Sequence, residues 1–508
     1  MPQPTAQPLS APPSRCPTGV SGLDEILGGG LPGHRLYLVK GDPGVGKTTL
    51  AMQFLLEGAR RGESGLYITL SETKEELEIV AASHGWNLDD LVLFELSAMQ
   101  DALQEETDHT FFHPSEVELN RTTRALLEVI DRVNPQRVVF DSLSEMRLLA
   151  ESSLRYRRQI LQFKQYFSHR SSTVLFLDDR TAGRDDLQIE SIAHGVISLS
   201  CRSPEYGVSR RQVTVEKLRG TGFREGNHDL VLRMGGMVVF PRLTAARKFT
   251  DFERVSFPSG IEELDALLGG GLDWGTSNML MGPPGTGKST LAIRFALQAA
   301  LEGKKSLMFI FDETVGTLLN RSLQLGMDLT PHIETGLITV QQVDPAEISP
   351  GEFAHRILRR VEEENGVEMV IIDSLNGYLN AMPADRYLNL QLHELLAFLN
   401  QQGVITIMVL AQMGIVGAMN SAVDLSYLAD TVVLLRYFEA RGAVKQAISI
   451  IKKRSGNHER TIREMTMGKS GISIGPPLTH MQGVLTGTPA FFQAAGTAAT
   501  AMPTLKSE

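Results

Sequence analysis

The chain of 508 residues is 42% hydrophobic and 21% charged, the balance of an ordinary globular protein with room for two or three domains. Its net charge of −10 opposes nonspecific binding to nucleic acid or to an anionic membrane surface. Two cysteines, Cys16 and Cys201, provide neither a disulfide framework nor a metal-ligand spacing, which points to a reducing, cytoplasmic setting.

Residues 1–14 are Pro-rich without an apolar core, so they read as a flexible segment and not as a signal peptide. A first domain is expected over 15–246. Its strand-length apolar runs are "RLYLVK", "GLYITL", "RVVFD" and "TVLFLD", separated by helical patterns such as "TTLAMQFLLEGARR". The boundary is expected near "LTAARKFTDFERVSFPSG", followed by a second domain over 247–485 with strands "NMLMG", "SLMFIF", "MVIID" and "ITIMVL". Capping boxes are expected at "SEVE" (115–118) and "SPGE" (349–352). The longest apolar run, at 403–419, contains Gln412 and three glycines and reads as a buried strand plus a loop, so no membrane span is expected. Residues 486–508, rich in Ala, Thr and Gly, read as a flexible tail. Alternating strands and helices imply an α/β fold, two tandem units each with a mostly parallel sheet and helices on both faces.

The halves repeat one another. "TGVSGLDEILGGGLPG" precedes "GDPGVGKTT" (41–49), and "SGIEELDALLGGGLDWG" precedes "GPPGTGKST" (282–290). The interval from Lys47 to Lys288 equals that from Glu72 to Glu313, so this is one duplication held in register. Each loop is a complete phosphate-binding pattern after a strand and opening a helix. Gly41, Gly44 and Gly46, and Gly282, Gly285, Thr286 and Gly287, let backbone N–H groups wrap phosphates, continued by Thr49 and Thr290. Lys47 and Lys288 are expected on the β- and γ-phosphates of ATP, and Thr48 and Ser289 on Mg²⁺. Asp141 in "RVVFDS" and Asp373 in "MVIIDS" are expected to bind the same metal directly or through its waters. Glu72 in "LSET" and Asp312 with Glu313 in "FDET" stand where a carboxylate orients a water or a hydroxyl at the γ-phosphate. The late basic clusters "EKLRGT" (Lys217, Arg219) and "IKKRSG" (Lys452, Lys453, Arg454) fit either a solvated face or residues that reach a neighbouring subunit's γ-phosphate.

Over about residues 15–485 these motifs, with "FDSLSE", "IIDSLNG", "SPGEFAHRI" and "DLSYLADT", resemble the KaiC family, double-domain RecA-like ATPases related to the cyanobacterial circadian clock kinase. The resemblance implies a two-tier homohexameric ring with ATP between subunits, a steady ATPase in the first domain, an autokinase in the second, and regulatory partners of KaiB type. The clock protein carries a glutamate pair at the catalytic strand end of each domain. Here Ser71–Glu72 and Asp312–Glu313 stand there. Its adjacent Ser and Thr acceptors correspond to Ser426 and Tyr427, which makes Ser426 the expected phosphorylation site. Two rivals remain: a scaffold that ATP merely assembles, and a DNA motor. Residues 411–431, the stretch expected to face a ring channel, contain no Lys or Arg and two aspartates, and 178–190 set two arginines against five acids. A channel for nucleic acid needs the opposite charge.

Overall fold

A computed structural model describes residues 14–96, 114–150, 152–179, 187–204, 207–243, 252–253, 255–344, 346–363, 366–380, 387–412, 414, 425–486 and 490–491. Of the two expected channel stretches, residues 180–186, 413 and 415–424 lie outside this set, as do 1–13 and most of the expected tail. The chain divides into two compact units, Met1–Arg242 and Leu243–Glu508.

The first unit holds a nine-stranded sheet. Its strands are β1 (Leu36–Gly41), β2 (Gly65–Thr69), β3 (Leu91–Glu95), β4 (Arg137–Asp141), β5 (Thr173–Asp179), β6 (Gly195–Arg202), β7 (Arg210–Leu218), β8 (Asn227–Arg233) and β9 (Gly236–Phe240). They lie in the order β9-β8-β7-β6-β1-β5-β4-β2-β3. Strands β6 to β3 in that order run parallel, and β7, β8 and β9 extend the sheet antiparallel. The second unit repeats this plan. Its strands are β10 (Ser277–Gly282), β11 (Ser306–Ile310), β12 (Ile338–Gln342), β13 (Met369–Asp373), β14 (Ile405–Ala411), β15 (Thr431–Ala440), β16 (Ala443–Lys453), β17 (Arg463–Gly468) and β18 (Gly471–Pro477). The order is β12-β11-β13-β14-β10-β15-β16-β17-β18. All eight strands read from the sequence are present. The edge strand, the parallel strand on the other side of the P-loop strand (β6 and β15) and the antiparallel extension of each unit are additions.

The continuous apolar runs follow from burial on both faces. Along β1, Tyr37 and Val39 join one core with Leu50 and Phe54 of α1 (Lys47–Arg60), while Leu36 and Leu38 join another with Phe140, Phe163 and Phe176. In the second unit Leu280 packs with Leu291 and Phe295 of α2 (Lys288–Leu301), and Met279 with Phe309 and Phe353. Each such side chain, fully removed from water, contributes about 1.5–3 kcal/mol. The core thus clamps the P-loop strand between helices and leaves its carboxyl end open, in the interior of the strand order.

Two details differ from expectation at the termini of elements. Ser349 caps the helix Pro350–Glu362, accepting from the Glu352 N–H at 3.1 Å, but "SEVE" falls inside the helix Pro114–Val133, on side chains outside the described residues. Within the expected tail, Ala490–Phe491 pairs with Met481–Gln482, next to the buried Val484.

Candidate functional site

In both units the repeated chemistry of the duplication gathers at the carboxyl ends of the parallel strands, where open α/β sheets bind ligands. The loop from β1 to α1 turns on Gly46, whose φ of 107° is left-handed backbone that glycine adopts without strain. Gly287 does the same at 93° before α2. A side chain on Gly41 or Gly282 strikes the carbonyl of Leu199 or Leu435, so these glycines also let the neighbouring strand close in. Each helix thereby begins with unpaired N–H groups aimed at the loop, a natural phosphate cradle.

In the first unit Lys47 is buried. Its ammonium donates to the carbonyls of Gly41 (2.8 Å) and Asp42 (3.0 Å) and forms an ion pair with Asp179 at 2.7 Å. Thr48 Oγ1 donates to Asp141 Oδ2 at 3.2 Å, and the Tyr67 hydroxyl donates to the same oxygen at 2.5 Å. Burial pushes the Asp141 carboxyl up, and these two hydroxyls and Lys47 pull it back. Thr49 Oγ1 lies 3.3 Å from His84 Nε2. Glu72 follows β2 in a tight turn in which the Thr69 hydroxyl donates to the Glu72 carbonyl (2.7 Å) and accepts from its N–H (2.9 Å). Thr73 then caps the next helix in a complete capping box with Glu76. The Glu72 Oε2 atom is buried and makes no hydrogen bond. Burial, then repulsion from Asp141, Glu76 and Asp179, raises its pKa.

The second unit keeps the frame and changes the neighbours. Lys288 donates to the Pro283 carbonyl at 2.7 Å, and burial pulls its pKa down to about 8, against the opposing pull of Asp373. Ser289 hydrogen-bonds Asp373, whose carboxyl is raised chiefly by burial. The Thr286 hydroxyl donates to the Pro283 carbonyl at 2.8 Å, and the Gly285 carbonyl accepts from Gln446 at 3.2 Å. Thr290 is buried in α2. Asp312 accepts from the Ser374 hydroxyl. Glu313 is ion-paired with Arg321 at 2.7 Å. Burial raises its pKa, with Asp373 and Asp312 adding to the rise and Arg321 opposing it. A cis peptide bond follows the metal-side aspartate in both units, Asp141–Ser142 and Asp373–Ser374.

A hydroxyl and a carboxylate side by side, Thr48 with Asp141 and Ser289 with Asp373, form the all-oxygen set that suits a hard cation such as Mg²⁺ sharing phosphate oxygens. Among the described residues no group of three His, Cys, Asp or Glu side chains makes an all-protein metal cage. The residues present therefore fit a metal carried in with a nucleotide. A cavity of about 610 Å³ in the second unit, lined by Phe252, Trp274, Lys304 and Glu368 among others, lies at the opposite ends of the parallel strands and contains none of these groups.

The basic clusters make matching contacts within the chain. Lys217 Nζ donates to the Glu190 carbonyl (2.5 Å) and Arg219 to that of Ser191 (3.0 Å). Lys452 Nζ donates to the Ser426 carbonyl (2.9 Å) and Arg454 to that of Tyr427 (3.1 Å). In both units, then, a Lys-x-Arg pair pins two successive peptide groups just before a strand of the sheet. Ser426 is half-buried, and Tyr427 is 56% exposed. Lys453, by contrast, is 2% exposed and donates to the carbonyls of Leu268 and Gly271, which makes it a structural member of the cluster.

Three neighbours of the sites escaped the sequence reading. Asp179 counted only as one acid of a candidate channel loop, Tyr67 only as a core position of "GLYITL", and Arg321 not at all. The available signal was comparison of the halves: at these places the second unit carries Ala411 opposite Gly282 and Met308 on β11, and the first carries Val80.

A family model described as the KaiC ATPase matches residues 16–244 and again 257–479. The circadian clock oscillator protein KaiC of Thermosynechococcus vestitus is 28% identical, covering 96% of this chain and 93% of its own length. That of Synechococcus elongatus is 26% identical over 93% of this chain and 91% of its own. The circadian clock protein KaiC2 of a Synechocystis strain is 27% identical over 93% and 84%.

Proposed function

The chain belongs to the KaiC ATPase family, and on that premise we propose that it hydrolyses ATP in both units, assembles as a homohexamer with nucleotide between subunits, and phosphorylates itself on Ser426. The observation that carries the reading is the doubled set: a P-loop lysine, a hydroxyl paired with an aspartate, and a half-buried glutamate at the adjoining strand end. When bound, Mg²⁺ draws charge from the β- and γ-phosphates. Lys47 and Lys288 hold the same oxygens. Glu72 and Glu313, raised by burial and so better matched to proton transfer near neutral pH, orient the attacking water and accept its proton. In the second unit the Ser426 hydroxyl of an adjoining subunit takes the place of that water, with Glu313 accepting its proton. Lys217 with Arg219, and Lys452 with Arg454, serve across the subunit interface, exchanging their carbonyl partners for phosphate oxygens.

The setting is the cytoplasm, with regulatory proteins of KaiB type as partners and no nucleic acid or membrane. Among the described residues no helix is long and apolar enough to cross a membrane. The pairing of Glu313 with Arg321 favours a second reading, an ATP-assembled scaffold without kinase activity, because a base held by a guanidinium is a weaker proton acceptor.

Incubation with MgATP tests both readings through phosphate release, native sizing and phosphopeptide mapping. Glu72→Gln with Glu313→Gln is expected to slow hydrolysis by about 10²–10⁴-fold, and phosphate on Ser426 to vanish in Glu313→Gln. Undiminished hydrolysis in the double variant removes both glutamates from their roles. An unmodified Ser426 peptide at saturating ATP leaves the scaffold.

A further inference from the structure

The two P-loop lysines live in different electrostatic surroundings although the backbones around them repeat. Strand β5 runs beside β1 with Asp179 opposite Gly41, and β14 runs beside β10 with Ala411 opposite Gly282. The position is the same, so the carboxylate is present in the first unit alone. Asp179 Oδ1 takes Lys47 at 2.7 Å. The other oxygen, Oδ2, accepts from Ser144 at 3.3 Å, and the Asp179 N–H donates back to Ser144 Oγ at 3.4 Å. The preceding Asp178 is buried and paired with Arg147 at 2.5 Å, so that cation already serves Asp178. Asp179 is thus paired directly with the Lys47 ammonium.

Granting the reading of the first site as an ATP site, we propose that Asp179 is a built-in competitor of the γ-phosphate for Lys47, and that it makes the first site's hold on ATP weaker than the same P-loop would otherwise give. The ammonium has three donors, and two already point at the carbonyls of Gly41 and Asp42. A phosphate oxygen that takes the third must displace Asp179 or sit against its negative charge. When the γ-phosphate leaves after hydrolysis, the carboxylate reclaims the ammonium and offsets the loss of its anion. The same residue therefore slows capture and eases release, a kinetic bias toward turnover. In the second unit Lys288 faces no such carboxylate at Ala411, and its phosphate contacts are uncontested from that strand.

Binding of a fluorescent ATP analogue with Mg²⁺, read in the full chain, tests this. With Lys288→Ala silencing the second site, Asp179→Asn keeps the shape and a hydrogen-bonding amide but removes the charge. It is expected to tighten binding at the first site roughly tenfold, the size of a charge-assisted hydrogen bond released to the ligand. The reciprocal graft, Ala411→Asp with Lys47→Ala silencing the first site, is expected to weaken binding at the second site by a similar factor. If Asp179 instead serves to aim Lys47 at the phosphate, Asp179→Asn binds more weakly, and that result overturns the proposal. Unchanged affinity in either arm overturns it as well. Failure of the Lys288→Ala chain to bind the analogue at all, with or without Asp179→Asn, refutes the ATP-site reading on which this one rests.

Discussion

Raising the pH should loosen ATP from the second site, and the size of the effect follows from where Lys288 sits. Its side chain is buried beneath the loop, its ammonium has the Pro283 carbonyl as hydrogen-bond partner, and its pKa is pulled down to about 8. A phosphate binds the ammonium and not the amine. Binding therefore raises this pKa, and affinity is full below the free value and falls as pH climbs through it. With a free pKa of about 8, the lysine is about nine-tenths charged at pH 7 and one-tenth charged at pH 9. Affinity should then drop about tenfold across that interval, equivalent to ~1.4 kcal/mol. The assay is titration of a non-hydrolysable MgATP analogue into the Lys47→Ala chain at half-unit steps of pH. Adding Lys288→Arg, whose guanidinium stays charged throughout, gives the control and should flatten the profile. A level curve from pH 7 to 9 with Lys288 intact, or an equally steep fall in the Lys288→Arg control, refutes the reasoning.

Arg137, 1% exposed, spans the Pro17 and Phe54 carbonyls and the Glu63 carboxylate at 2.5 Å while lying over the Phe54 ring. Arg137→Met strands those acceptors, and with Glu63 about a third exposed the cost should sit at the lower end for a broken buried pair, about 3 kcal/mol. Denaturant unfolding of the first unit reads it, and a midpoint within error of wild type refutes it. Tyr67→Phe removes one hydrogen bond that lowers the Asp141 pKa, so that carboxyl should rise further and stay protonated to higher pH. The Mg²⁺ concentration needed for nucleotide retention should increase about tenfold, in the range of other orienting groups around metal ligands. Metal titration followed by nucleotide fluorescence measures it, and an unshifted midpoint assigns the phenol to packing alone.

What the sequence made legible was whatever repeats with short range. The phosphate loops, the strand-end aspartates and the glutamates after the second strand are each contiguous patterns, and one interval carried the loops and the glutamates from half to half. The antiparallel extension was missed because β7, β8 and β9 carry no motif, and their partners are fixed only by the sheet. Asp179 was misread for a related reason. Counted in sequence it is one negative charge in an acidic stretch. Its meaning comes from β5 lying beside β1, which sets its carboxylate against Lys47 from far along the chain. Tyr67 likewise looks like any aromatic in a buried strand until β2 and β4 pair and bring its hydroxyl to Asp141.

The differences between the halves have a common direction. Around the first P-loop the chain sets a carboxylate, Asp179, against the lysine and leaves Glu72 with an unpartnered oxygen. Around the second it places Ala411 in that position and ties Glu313 to a guanidinium. Negative charge near a γ-phosphate would shorten its stay, and a free base would speed attack by water, so the roles proposed for Asp179 and Glu72 both favour turnover at the first site. On the same proposals, removing the competitor and restraining the base would do the reverse and lengthen the stay of a nucleotide at the second site. Lys452 and Arg454 meet the segment carrying Ser426 at two successive carbonyls, the contacts that the proposed role across the interface would exchange for phosphate oxygens. The duplication supplied a common frame, and a handful of substitutions on it, Asp179 against Ala411 and Val80 against Arg321 among them, set the two sites apart.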